Sequence, residues 1–170
     1  LKTAIVYYSR TGNTELLVKL LFNALSKQGV AVGIFKVKPL KEYSPPLHLN
    51  PRLLLDTLVR KGTSVTLEPA GFNPLNYSVI VFASPIWFSN LSPPIQQILR
   101  DCAGKLKNYI ILTTSRLKTK RDALSRKTES ILREKPILCL NTTVEELRNE
   151  AILKNTVQNL ANRLLSYFGS

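Results

Sequence analysis

Six consecutive residues, Ser9-Arg10-Thr11-Gly12-Asn13-Thr14, put three hydroxyls, an amide and a glycine into one turn. Hydroxyls and amides donate to anionic oxygen, and a glycine lets backbone come close to a ligand. Before the turn lies Lys2 to Tyr8, a short run rich in β-branched and aromatic residues that reads as a buried parallel strand. After it, from Glu15 to Ser26, Leu16, Leu17, Leu20, Leu21, Ala24 and Leu25 recur at helical intervals and form one apolar face. A helix N-terminus carries unpaired N–H groups and partial positive charge, so this strand-turn-helix is built to hold a phosphate. Capping the helix would use only one of Ser9, Thr11 and Asn13. The turn lacks the Gly-Lys-Ser/Thr ending of a P-loop and is not Gly-x-Gly-x-x-Gly. It also has no cysteine, which argues against chemistry through a phosphocysteine.

A second constellation follows the most apolar strand, Tyr77 to Ala83: Ser84-Pro85-Ile86-Trp87-Phe88-Ser89-Asn90, leading to Ser92-Pro93-Pro94 and a helix through Ile95, Ile98, Leu99 and Cys102. The chain's one Trp therefore sits on a strand-to-helix loop. Its face can cover a flat aromatic ligand or fold over the protein's own core. A third polar end, Thr113-Thr114-Ser115, closes the strand Tyr109 to Thr113 and runs into Arg116-Leu117-Lys118.

The first turn is similar to the phosphate loop of flavodoxin-like proteins, in which Ser/Thr-x-Thr-Gly-Asn-Thr wraps the phosphate of FMN. The second resembles that family's Thr-Pro-Val-Trp-x-Gly-x-x-x-Pro-Pro loop, whose aromatic residue and backbone contact the flavin ring. The resemblance implies FMN as cofactor, held by Ser9, Arg10, Thr11, Gly12, Asn13 and Thr14 at the phosphate. It places Ser84, Pro85, Ile86, Trp87, Phe88, Ser89 and Asn90 at the ring, with Thr113, Thr114 and Ser115 as a third loop. Ser89 stands where many members have Gly, whose peptide flips to meet the flavin N5. A serine is expected to resist the positive φ that such a flip requires.

The remaining segments fit this frame. Gly29 ends the first helix, and Val30 to Val37 alternates as a second strand. Pro39 to Asn50 is Pro-rich, Asn50-Pro51 opens a short helix to Lys61 stopped by Gly62, and Thr63 to Asn76 reads as a loop with an extended piece at Ser64 to Leu67. Thr119 and Asp122 suggest a capped helix edged by Leu124, Ile131 and Leu132. Pro136 to Leu140 reads as a fifth strand, and the capping box Thr143-Val144-Glu145-Glu146 opens one long helix to Phe168. Alternating strands and helices predict an open α/β sheet with ligand sites at the carboxyl ends of the strands. With the resemblance, the expectation is a flavodoxin-like, five-stranded parallel sheet with helices on both faces, a three-layer sandwich. It spans residues 1–170 as one domain.

Composition narrows the classes. Hydrophobic residues make up 44% of the 170, which is globular usage. No apolar run reaches the roughly 20 residues that cross a bilayer, and a cytoplasmic protein is expected. Cys102 and Cys139 sit in apolar segments as core residues, and His48 is the lone histidine, so the sequence gives little weight to a metal. The net charge of +13 implies an acidic partner, nucleic acid or an anionic surface. Its densest stretch is Arg116, Lys118, Lys120, Arg121, Arg126 and Lys127. The functional expectation is an FMN protein for electron transfer, either a shuttle or a small reductase of quinone-like acceptors, with acidic redox partners such as a ferredoxin-like donor or a reductase. The other reading is a flavin-free module that binds nucleic acid or an acidic protein through segment 116–127. That segment lacks the interleaved aromatics that stack bases.

Overall fold

In a computed structural model, residues 1–43, 50–58 and 63–168 are described. The chain alternates β1 (Lys2–Tyr7), α1 (Asn13–Lys27), β2 (Ala31–Pro39), α2 (Pro51–Leu58) and β3 (Val65–Glu68). Next come β4 (Val79–Trp87), β5 (Asn90–Leu91), α3 (Pro93–Cys102), β6 (Tyr109–Ser115), α4 (Arg121–Leu132), β7 (Leu138–Thr143), α5 (Val144–Arg148) and α6 (Glu150–Phe168). The sheet order is β3-β2-β1-β4-β6-β7, with β5 paired to β4. The strands β2, β1, β4, β6 and β7 are parallel.

Period-two alternation sorts the strand side chains onto the two faces. Ile5 and Tyr7 of β1, with Val79, Val81, Ile110 and Leu112, pack against α1 and α6 through Leu17, Leu21, Leu25, Val157, Leu160 and Leu164. Ala4 and Val6, with Ile80, Phe82 and Ile111, face α3 and α4 through Ile95, Leu99, Leu124 and Leu132. The result is helices on both faces of an open sheet, as expected. Both thiols are buried, and burial pushes Cys102 up to about 12 and Cys139 to about 11, so neither is poised as a thiolate.

Five strands were expected and the sheet has seven. The two additions are antiparallel. β3 is the extended piece read at Ser64 to Leu67; it satisfies the open edge of β2, with Val37 opposite Leu67. β5 exists because β4 continues to Trp87, through residues read as loop, and folds back. The final helix is two helices. Thr143 forms the expected capping box with Glu146, but Asn149 leaves helical geometry at φ −91° and ψ 103°, and its Oδ1 accepts from Ile152 N–H at 3.1 Å to start α6. The α4 N-cap is Lys120, not Thr119, and no side chain bonds there. Asn50 does cap α2, its Oδ1 accepting from Leu53 N–H at 3.0 Å, whereas the expected helix end at Lys61 and Gly62 and the position of His48 lie outside the described residues.

Thr143 is 7% exposed and bonds at both ends of its capping box, so Thr143→Ala is expected to cost about 1 kcal/mol, read as a lowered unfolding midpoint in urea. Hydrogen bonds from Lys19 and Lys36 hold the Glu15 carboxyl below its usual range. A depressed carboxyl stabilises the fold above its unfolded-state pKa and loses that contribution as pH falls through the folded value. Glu15→Gln should therefore flatten the acid limb of a Tm–pH profile while removing no more than about 1 kcal/mol near neutrality.

Candidate functional site

Because β1, β4 and β6 are parallel, the segments after them leave the same sheet edge. β1 pairs with β2 on one side and β4 on the other, so the chain departs in opposite directions there and a crevice opens outside the strand ends. The cavity measures about 930 Å³.

One end is the turn before α1. Gly12 is the N-cap at φ 88°, a left-handed backbone that favours glycine, and a Cβ there would meet nothing within 4 Å. Conformation therefore selects glycine at this position, not crowding. No side chain caps α1. Ser9, Arg10, Thr11, Asn13 and Thr14 line the cavity, and Ser9 Oγ is buried with no hydrogen-bond partner among the described residues. An unpaired buried hydroxyl costs about 1–3 kcal/mol, a penalty that a ligand oxygen would relieve. Thr14 Oγ1 lies 2.8 Å from Thr114 Oγ1. One of the two donates to the other, leaving the acceptor's proton for a ligand.

The middle wall is the end of β4. Pro85, Ile86, Trp87, Phe88 and Ser89 line the cavity, and the Trp87 indole stands edge-on to Tyr8 and Tyr43, with centroids 5.6 and 5.9 Å away. Tyr43 donates to Asp56 at 2.9 Å; burial first, then this bond, pushes its phenol up to about 12. Tyr8 donates to Glu42 at 2.9 Å and burial raises its pKa strongly, so both phenols remain protonated supports for the indole.

Phe88 and Ser89 make the two-residue turn between β4 and β5 with φ of 47° and 59°, the type I′ geometry usually given to Asn-Gly. Each non-glycine residue there costs about 1–3 kcal/mol. Ser89 thus adopts the positive φ that it was expected to resist. The surroundings hold it: Lys127 Nζ donates to the Ser89 carbonyl, and Gln96 Nε2 donates to Leu91 O at 2.7 Å.

The third wall is Thr114 and Ser115, continuing through Arg116, Leu117, Lys118, Thr119 and Lys120 to Ala123 and Lys127 of α4. Four expected site residues do not line the cavity. Gly12 shapes the turn through its backbone, and Asn90 pairs with Trp87. Ser84 is fully buried, its Oγ 2.9 Å from Ser92 Oγ and accepting from Ser92 N–H, so it ties the loop to the start of α3. Thr113 is fully buried, 2.9 Å from Asn141 Oδ1.

Leu53, Ala123, Val144 and Arg148 also line the cavity with no mark in the sequence, and Lys127 stands out there only as part of a basic stretch. Ala123 and Lys127 are one helical turn apart, a spacing that could have put them on one face. Nothing local marks Arg148, which reaches the cavity from α5. The charge is one-sided: Arg10, Arg116, Lys118, Lys120, Lys127 and Arg148 line the cavity, and among the described residues no Asp or Glu does. Only Lys118 among them makes an ion pair within the described residues, a 3.7 Å contact with Glu146 from an exposed side chain.

No family model matches the chain, and no curated protein is similar to it in sequence. Solved structures are similar in fold. A flavoprotein from Lactobacillus acidophilus NCFM, solved in complex with FMN, superposes with a TM-score of 0.70 over 88% of this chain and 98% of its own, at 18% identity. The chain has the flavodoxin fold. Two flavodoxins are also similar: oxidised flavodoxin 1 from Bacillus cereus, at a TM-score of 0.55, 10% identity and 99% coverage of each chain, and the two-electron reduced flavodoxin of Megasphaera elsdenii. The latter has a TM-score of 0.55 and 18% identity, with 94% of this chain and 98% of that one covered.

Removing a hydroxyl that has no protein partner should not harm the ligand-free fold. Ser9→Ala is expected to leave the stability of the free chain unchanged or raise it by up to about 1 kcal/mol, while weakening any phosphate ligand at α1 by roughly tenfold or more. Urea unfolding with and without ligand measures both.

Proposed function

We propose that this chain binds FMN in the cavity and transfers electrons to or from an acidic redox protein. The observation that carries the reading is the buried Ser9 hydroxyl, without a hydrogen-bond partner among the described residues, beside an α1 N-terminus that none of their side chains caps. The neutral donors of Ser9, Thr11, Asn13 and Thr14, with the first N–H groups of α1, suit a phosphate dianion. Trp87, braced by Tyr8 and Tyr43, offers an aromatic wall to a flat ring. Bound there, FMN supplies the redox chemistry and the protein supplies position and electrostatics.

Among the described residues the cavity lining contains no His, Asp, Glu, Tyr or Cys. Cations beside a ring that gains negative charge on reduction raise its potential. The open mouth combines Arg116 and Lys118 with Leu117 at 81% exposure and Phe88 at 39%, an apolar centre with a cationic border that suits an acidic protein surface. Among the described residues no helix is long and apolar enough to cross a membrane. Two free buried thiols suit a reducing, cytoplasmic setting.

The first test is the visible spectrum of the purified chain after incubation with FMN and removal of the excess. One retained flavin per chain supports the proposal; a colourless chain that shifts labelled nucleic acid in a salt-sensitive way supports the flavin-free module instead. In the loaded protein, Arg116→Gln with Lys118→Gln is expected to lower the midpoint potential by tens of millivolts. The same pair should flatten the decline of electron-transfer rate with ionic strength when the partner is acidic. A rate indifferent to salt in the unsubstituted protein would contradict an acidic partner.

A further inference from the structure

The wall of the cavity that carries Trp87 ends in a turn whose residues are poorly suited to it. Phe88 and Ser89 both hold positive φ, neither is glycine, and both are exposed, so their own packing does little to fix them. The antiparallel pairing beyond the turn is only two residues long, Ile86 with Leu91 and Trp87 with Asn90. A two-residue ladder does not hold a strained turn unaided.

Among the described residues one long-range hydrogen bond reaches the turn itself. Lys127, on α4 and 38 residues further along, donates from Nζ to the Ser89 carbonyl. Its Cα sits one helical turn beyond Ala123, on the side of α4 that lines the cavity, and next to the fully buried Thr128. Lys127 makes no ion pair among the described residues, so the carbonyl is the one acceptor shown for its ammonium. An ammonium on a carbonyl is a charge-assisted bond, stronger than a neutral one. Partial burial lowers the Lys127 pKa, since a cation withdrawn from water is disfavoured.

We propose that Lys127 is a positioning residue that latches the Phe88-Ser89 turn in its left-handed conformation, so that the β4 wall is preformed for its flat ligand and the Ser89 carbonyl is turned to α4. In most two-residue hairpins a glycine does this work through its own backbone freedom; here a cation from a neighbouring helix does it across space. The latch also joins the basic segment to the cavity wall, because the helix that carries Lys127 begins at Arg121 with Lys120 as its N-cap. The consequence for a flavin rests on the proposed function, whereas the latch itself concerns the turn alone.

Two measurements separate the latch from the flavin. Amide hydrogen exchange of Trp87 and Asn90, the pair that closes the turn, is followed in the flavin-free chain, and FMN affinity is measured by fluorescence quenching, for the unsubstituted protein, Lys127→Met and Lys127→Met with Ser89→Gly. Lys127→Met, which keeps the apolar stem, should lower the protection factors of these amides roughly tenfold or more, the scale of one lost charge-assisted bond, and weaken FMN by a similar factor. Adding Ser89→Gly should restore most of both, since glycine holds positive φ without a latch. Unchanged protection in Lys127→Met overturns the proposal. So does an affinity loss that Ser89→Gly leaves in place, because Lys127 would then act on the ligand directly. Should FMN fail to bind the unsubstituted chain, the flavin reading falls, and loss and recovery of protection still decide the latch.

Discussion

The parallel pairing of β1 with β4 is the constraint on which the site depends. Its register, with Val6 opposite Phe82 and Tyr7 opposite Ala83, brings the turn after β1 level with the end of β4, and Tyr8 N–H still donates to Ala83 O at 3.1 Å beyond the strand. The pairing of Thr113 with Ser84 and of Thr114 with Pro85 adds the end of β6 at the same level. Three loops that are far apart in sequence therefore meet, and the hydroxyl pair of Thr14 and Thr114 bridges 100 positions of chain. A shift of either pairing by one residue would turn the apolar side chains of the strand to the wrong layer, so core packing and site geometry are protected by the same register.

Two electrostatic environments follow from how these loops are built. At the start of α1 the donors are hydroxyls, an amide and backbone N–H groups, with Arg10 as the cation of the turn, while Glu15, the acidic residue of the first turn, is drawn off by Lys19 and Lys36 at 2.9 Å each. The anion-attracting end of the helix is thus left to a ligand. On the far side the lining is cationic and carries little internal compensation. Neutral donors give direction to one phosphate, whereas exposed cations act at longer range and are screened by salt. The first arrangement suits a tightly held group and the second a partner that comes and goes.

Much of this was legible in the chain because the informative residues adjoin strand ends. The turn from Ser9 to Thr14, the Trp87 loop and the Thr114-Ser115 pair each follow a run of β-branched residues, so local pattern and site coincide. The two extra strands were harder to read. β3 was visible only as a four-residue alternation among prolines, and the β4–β5 hairpin lacks the Asn-Gly signal because Phe88-Ser89 occupies its turn. The break between α5 and α6 was hidden since no glycine or proline interrupts the run from Val144 to Phe168 and Asn149 alone is a weak mark of a helix end. Leu53, Lys127 and Arg148 reach the cavity from helices, and their presence there depends on how α2, α4 and α5 settle against the sheet. No spacing within the sequence encodes that.

In the proposed function the donors at α1 hold a phosphate while the Trp87 wall holds a ring. The most direct test is the pair of dissociation constants for FMN and riboflavin, which share the ring and differ by the phosphate, measured on the same flavin-free protein by fluorescence quenching. Several charge-assisted bonds to one dianion predict that FMN binds more tightly by roughly a hundredfold or more. Equal affinities for the two, or binding of neither, would contradict the account.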